Sequence, residues 1–217
     1  MRKEPAPAAL PDGATAKFAA FEALVQRWNA RANLVARGDI PHLRERHTAD
    51  SLALLPWVTG RLADVGSGAG LPGIPLAIAR PGVPVVLIER STRKCAFLQH
   101  VVIELDLPNV DVVAQDIRGY EASSAFDIVT VRAVAPPRQA WALVRHLLKS
   151  GASALLQSRE RLQSPVFDAG WIADEAPVDR GWVTEVRCVQ GMTPRGRPPL
   201  SDLHPGSTDG TQSNDEE

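Results

Sequence analysis

Between Leu62 and Gln157 short apolar runs alternate with stretches of helical length, and this alternation constrains the fold more than any other feature of the chain. The runs are LADV (Leu62 to Val65), VPVVLIE (Val83 to Glu89), VDVVA (Val110 to Ala114), FDIVTV (Phe126 to Val131) and ASALLQ (Ala152 to Gln157). Between them lie Gly73 to Arg80, Arg93 to Asp106 and Arg138 to Lys149, each with its apolar residues on one face. Strand, helix, strand in this order implies a parallel sheet covered on both faces. Two further runs, Trp171 to Val178 and Trp182 to Val189, are separated by a short turn and are expected to pair antiparallel. Ahead of the sheet, Phe18, Phe21, Leu24, Val25 and Trp28 recur at helical spacing from Thr15 to Asn33, and Ser51 to Leu55 suggests a second helix ending at Pro56. The expected organisation is a helical segment over 1–60 packed on a catalytic domain over 61–190, followed by an acidic, disordered tail over 191–217.

The first strand leads directly into four glycines within eight residues, DVGSGAGLPG (Asp64 to Gly73). A glycine turn between strand and helix lets a ligand approach backbone N–H groups at the positive end of the helix dipole. Alone it is a weak signal, because such turns also use glycine for steric reasons. The second strand ends in Glu89, 25 residues after Asp64, where an acid can take the hydroxyls of a ribose. Gln115, Asp116 and Ile117 follow the third strand, where a polar side chain, a backbone N–H and an apolar cover suit an adenine. These features fit a nicotinamide dinucleotide or S-adenosylmethionine. Gly66, Gly68 and Gly70 run G-x-G-x-G, and Leu71 stands where the dinucleotide fingerprint wants its third glycine, which favours S-adenosylmethionine.

Charge distribution points toward a polyanion more than the net charge of −1 does. The tail Ser201 to Glu217 holds five acids and no Lys or Arg, so the rest of the chain carries a net +4. Arg27, Arg31, Arg37, Arg44 and Arg46 stand against Asp39 and Glu45 alone, a pattern that also describes an ordinary solvated helix surface. The two cysteines make no disulfide framework, and the five histidines show no metal-ligand spacing, so no metal is expected. No run approaches the roughly 20 apolar residues of a membrane span, and no apolar core follows the first charges, so a cytoplasmic protein is expected.

The string DVGSGAGLPGIPLAIARP (Asp64 to Pro81), with WNARANL (Trp28 to Leu34), RHTADS (Arg46 to Ser51) and FDIVTVRAVA (Phe126 to Ala135), resembles the bacterial ribosomal RNA small subunit methyltransferase G family, also called glucose-inhibited division protein B. The resemblance covers about Phe18 to Val189 and implies a class I S-adenosylmethionine-dependent methyltransferase. Its expected fold is Rossmann-like, a seven-stranded mostly parallel sheet with an antiparallel end strand and an N-terminal helical extension. The implied reaction is methylation of nitrogen 7 of one guanine in small-subunit (16S) ribosomal RNA. Matching cofactor positions are Gly66, Leu71, Glu89, Ile117, Arg118 and Arg132, and the glycine turn and third strand end add Gly68 and Asp116 as cofactor-binding candidates. Arg132 is the expected positioning residue of catalysis. RNA-binding candidates are Arg31, Asn33, Arg46, His47, Asp50, Ser51, Arg93 and Lys94, with His47 alternatively a packing residue bonded to Asp50. Many members carry a lysine near the end of the fifth strand; here that place holds Gln157, with Arg159 two residues on.

Nitrogen 7 of guanine bears an in-plane lone pair and no proton, so its methylation needs alignment rather than a base. After the fourth strand, VRAVAPP (Val131 to Pro137) contains no acid, amide, aromatic or cysteine, in keeping with that chemistry. The expected partner is small-subunit RNA or the subunit itself, with no membrane and with the protein a monomer. Two other classes stay open at this point: a methyltransferase of small molecules or proteins, which would not need the arginines of 27–47, and a non-catalytic RNA-binding assembly factor, which would not bind the cofactor.

Overall fold

The computed structural model describes residues 9–123, 125–132, 134–159, 161, 171–178 and 181–188. Five strands, β1 (Leu62–Val65), β2 (Val85–Glu89), β3 (Val110–Ala114), β4 (Phe126–Arg132) and β5 (Leu148–Ser158), are joined by β6 (Trp171–Val178) and β7 (Gly181–Cys188) in one sheet of order β3-β2-β1-β4-β5-β7-β6. Strands β1 to β5 pair parallel, and β7 runs antiparallel to both β5 and β6. The expected mostly parallel sheet with an antiparallel end is therefore observed. Chain direction reverses its winding at β1, so the carboxyl ends of β1 and β4 open on a crevice where α/β sheets take ligands.

β1 and β2 are buried along their whole length, which is why, apart from Asp64 and the terminal Glu89, they read as apolar runs rather than alternations. On one face lie α1 (Ala14–Ala32), α3 (Gly73–Ala79) and α4 (Thr92–Glu104); the other packs α5 (Pro137–Val144) through Trp141 and Val144. The apolar stripe of α1 places Phe18, Phe21, Leu24 and Val25 in the same core as Leu76, Phe97 and Leu98. Phe21 is 1% exposed, and its removal to Ala would cost about 3–5 kcal/mol.

β2 and β5 begin at Val85 and Leu148 rather than Val83 and Ala152, and two helical stretches depart further from expectation. The helix foreseen to Lys149 stops at Val144, because Leu147 and Leu148 are buried and Leu148 already pairs with Phe126. The single helix foreseen to end at Pro56 is instead a composite run. A 3-10 segment Arg37–His42 containing Pro41 passes into a π-helical turn Arg44–Thr48 and a short α2 (Ala49–Leu52), and Pro56 opens a separate 3-10 turn, Leu55–Trp57. Proline removes a backbone donor from the first segment, and the π turn closes through Ala49 N–H to Arg44 O, one residue wider than α geometry. Glu22 on α1 holds this run by accepting from Arg44 Nη2 at 3.0 Å and from Thr48 Oγ1 at 2.9 Å. The expected tail, Val189 and the expected boundary at 190 lie outside the described residues. Among the described residues, no helix is long and apolar enough to cross a membrane.

Candidate functional site

The crevice has two walls. The first is the turn after β1, where Gly66, Gly68 and Gly70 take φ of 72°, 55° and 77°, a left-handed series that side-chain-bearing residues rarely adopt. A Cβ on Gly66 would overlap the Val134 side chain, whereas one on Gly68 would meet nothing closer than 3.6 Å, so the turn is open on that side. Asp64 braces the turn from below: its Oδ2 accepts from Gly73 N (3.1 Å) and its Oδ1 from Thr130 Oγ1 (2.9 Å). Burial pushes the Asp64 carboxyl up to about 6, against the opposing pull of those hydrogen bonds. Glu89, 7% exposed, accepts from Gly68 N (3.0 Å) on one oxygen and from Ser91 N (2.8 Å) on the other, locking the glycine turn to the start of α4. Lys94, an RNA-binding candidate on sequence grounds, brings its ammonium within 3.9 Å of where a Gly68 Cβ would stand.

Beyond β3, Asp116 accepts two hydrogen bonds from the Arg118 guanidinium (3.0 and 2.6 Å) and one from the Arg118 backbone N–H (2.9 Å). That pairing, with Arg90 at 3.8 Å, draws the Asp116 carboxyl down to about 2. Ile117 packs against the core beside it, and Gln115 turns away to donate to Gly119 O (2.8 Å). Leu71 is buried in the core just past the turn, so it supports the loop from behind.

The second wall is the composite helical run facing β4. Arg132 ends β4 one position past Val131, which pairs with Val65, and so stands level with Gly66. Its Nη2 lies 2.8 Å from His47 Nδ1 and 3.7 Å from Asp50 Oδ2. His47 Nε2 lies 3.3 Å from Asp39 Oδ2, and Asp39 Oδ1 accepts from Arg46 Nη1 at 2.7 Å. The Arg46 hydrogen bond is the main reason the Asp39 carboxyl is held below its ordinary value. Arg132 thus has a carboxylate neighbour, Asp50, together with a histidine contact that spacing did not suggest.

The remaining candidates divide. Ser51, expected on the RNA-facing wall, is fully buried and donates to His47 O (2.7 Å): it packs the helical run and presents no surface to an RNA. Asp50 is likewise buried, facing Arg132. Asn33 is exposed in a left-handed cap (φ 48°) after α1, while Asn29 Oδ1 accepts from Leu34 N and Val35 N to fix the chain's exit. Arg93 Nη1 donates to Arg31 O (3.2 Å), bringing both arginines to a groove of about 590 Å³ lined by Ala32, Ser91, Thr92, Arg93 and Ala96. Asp39 and Thr130 were missed: Asp39 entered the sequence reading only as a counter-charge, and Thr130, inside the FDIVTVRAVA run, read only as a strand residue.

A family model described as rRNA small subunit methyltransferase G matches residues 14–163. The curated Ribosomal RNA small subunit methyltransferase G of Nitrosospira multiformis is 44% identical over 137 residues, 63% of this chain and 63% of that protein. Its counterpart from Chromobacterium violaceum is 43% identical over 130 residues, 59% and 62% of the respective chains. The aligned part of the chain spans about three fifths of the length of these relatives. Among solved structures, a methyltransferase from Geobacter sulfurreducens superposes with a TM-score of 0.55 at 16% identity, over 83% of this chain and 91% of that one. A transferase described as putative from Pyrococcus horikoshii gives 0.53 at 13% identity, over 75% and 67%. At such identities the structural likeness shows the fold alone, the Rossmann-like sheet of class I methyltransferases.

Proposed function

The chain belongs to the rRNA small subunit methyltransferase G family, and from that premise we propose that it transfers a methyl group from S-adenosylmethionine to nitrogen 7 of one guanine in 16S ribosomal RNA, as a monomer in the cytoplasm. The observation that carries this reading is the pairing of an open, left-handed glycine turn with a cationic Arg132 on the opposite wall, where Arg132 meets His47 Nδ1 at 2.8 Å and His47 Nε2 stands 3.3 Å from Asp39. The residues suit an adenosyl cofactor: Gly66 and Gly68 leave backbone within reach, Glu89 stands at the second strand end, and Asp116, Ile117 and Arg118 border the outer end. When bound, S-adenosylmethionine supplies an electrophilic methyl on a sulfonium sulfur.

This chain's own groups then have positioning and electrostatic work only. Because nitrogen 7 carries a lone pair and no proton, its methylation would leave no proton for a residue of this chain to remove. Glu89 keeps the glycine turn in shape through Gly68 N, and Arg132 fixes a planar donor array at the carboxyl end of β4. Arg93 on the outer groove, with Arg31 and Asn33 exposed at the end of α1 and Arg46 in the helical run, would meet phosphates on the way in. An assembly factor without chemistry would keep that basic surface but would not need the strained turn.

The test is mass mapping of modified nucleosides in ribosomal RNA from cells with and without this protein. One 7-methylguanosine in 16S RNA should appear only when it is present. A methyl group on another atom, or none, contradicts the proposal.

A further inference from the structure

Arg132 meets an imidazole as well as a carboxylate. A guanidinium keeps its protons and has no lone pair, so in the 2.8 Å contact His47 Nδ1 must be the acceptor. The ring proton then resides on Nε2, the nitrogen that faces Asp39 Oδ2 at 3.3 Å. Asp39 is in turn fixed by Arg46 through its other oxygen at 2.7 Å. The line Arg46, Asp39, His47, Arg132 therefore crosses from the 3-10 segment through the π turn to the end of β4, and Asp50 flanks its last member at 3.7 Å.

We infer that Asp39 is a positioning residue for methyl transfer: it holds His47 in the Nε2–H tautomer, and that tautomer offers Nδ1 as the acceptor that orients Arg132. The inference rests on the function proposed above only for the word transfer; the tautomer claim belongs to the free protein. A carboxylate can only accept, so it fixes the ring proton on the near nitrogen and leaves the far one with its lone pair. The π turn matters because it widens the helix at the point where His47 must reach both partners.

Asp39→Asn makes the test sharp. The amide keeps the size and still offers Arg46 an oxygen, but it turns an NH₂ toward His47. Nε2 then becomes the acceptor, the ring proton moves to Nδ1, and two donors face each other at Arg132. Asp39→Ala removes the acceptor without supplying a rival donor, so it should do less harm. The expected result is a single-turnover rate lowered about tenfold by Asp39→Asn and about threefold by Asp39→Ala, with melting temperatures close to that of the unsubstituted protein. In an Arg132→Ala background, Asp39→Asn should cost nothing further. Long-range ¹⁵N–¹H spectra of the free protein, with His47 assigned by its loss in His47→Gln, should show Nε2–H in the unsubstituted chain and Nδ1–H in Asp39→Asn.

The inference is overturned by an Nδ1–H tautomer in the unsubstituted protein, by equal rates in the Asn and Ala variants, or by losses that add to Arg132→Ala. A protein that shows the tautomer exchange yet modifies no ribosomal RNA sinks the proposed function and leaves the Asp39–His47–Arg132 arrangement standing.

Discussion

The two walls of the crevice are built from different materials. The glycine turn is a backbone construction: three left-handed residues, a bracing carboxylate beneath and the Glu89 carboxylate across Gly68 N and Ser91 N. The helical run opposite is a side-chain construction, in which Arg132 is held through His47, Asp39 and Asp50 by residues far apart in sequence. A backbone site depends on what each position cannot be, whereas a side-chain site depends on how irregular segments happen to meet. The first should fail outright under substitution and the second by degrees.

The largest effect is expected at the turn. Gly66→Val forces a β-branched residue into φ of 72° and drives it into Val134, so S-adenosylmethionine affinity should fall by at least about 100-fold while the circular dichroism spectrum is kept. Calorimetric titration showing near-normal affinity would remove the turn from the cofactor site and dissolve the contrast between the walls. Arg132→Ala comes next, with a single-turnover rate about 100-fold lower, the scale of losing one well-placed donor. Equal rates would mean that the helical wall does no chemical work.

A smaller effect separates RNA contact from both walls. Arg31→Glu combined with Arg93→Glu should weaken RNA binding about tenfold and flatten its dependence on salt, leaving S-adenosylmethionine affinity unchanged. RNA affinity that ignores both salt and these charges would place the RNA elsewhere.

A further expected change is in stability rather than in binding or rate, and it shows what the backbone wall costs. The folded protein holds the Asp64 proton up to about pH 6, above the 3.8 of an unperturbed carboxyl, so stability is greater below about pH 4 and is lost as pH rises toward 6. The contribution is about 3 kcal/mol, or several degrees in melting temperature. Asp116, drawn down to about 2, acts in a lower window with the opposite sign, its stabilisation being lost as pH falls. Asp64→Asn should therefore flatten the melting temperature between about pH 4 and 6.5. An unchanged slope would show that Asp64 is ionised without penalty.

The same contrast explains what the sequence made legible. Strands β1, β3 and β6 fall where their apolar runs predicted, β1 as a fully buried strand of the parallel part and β3 and β6 as the two edges of the sheet. The glycine series announced itself, since only glycine tolerates three left-handed positions in five residues. The helical wall did not. Pro41 hid the continuation of the run, and the π turn has no sequence period. Asp39 therefore read as a surface counter-charge and Ser51 as an RNA contact, when one faces His47 and the other is buried under it. Glu89 was read as a ribose partner, and its work in tying Gly68 to Ser91 could not be seen without the two N–H groups in place.

The central claim is that the accepting atom is nitrogen 7, and the most direct measurement is single-turnover methyl transfer to small-subunit RNA carrying 7-deazaguanine in place of guanine. With a C–H where the lone pair should be, transfer should vanish while RNA and S-adenosylmethionine affinities stay as they are with unmodified RNA. Undiminished transfer to the substituted RNA would put the methyl on another atom and contradict the account.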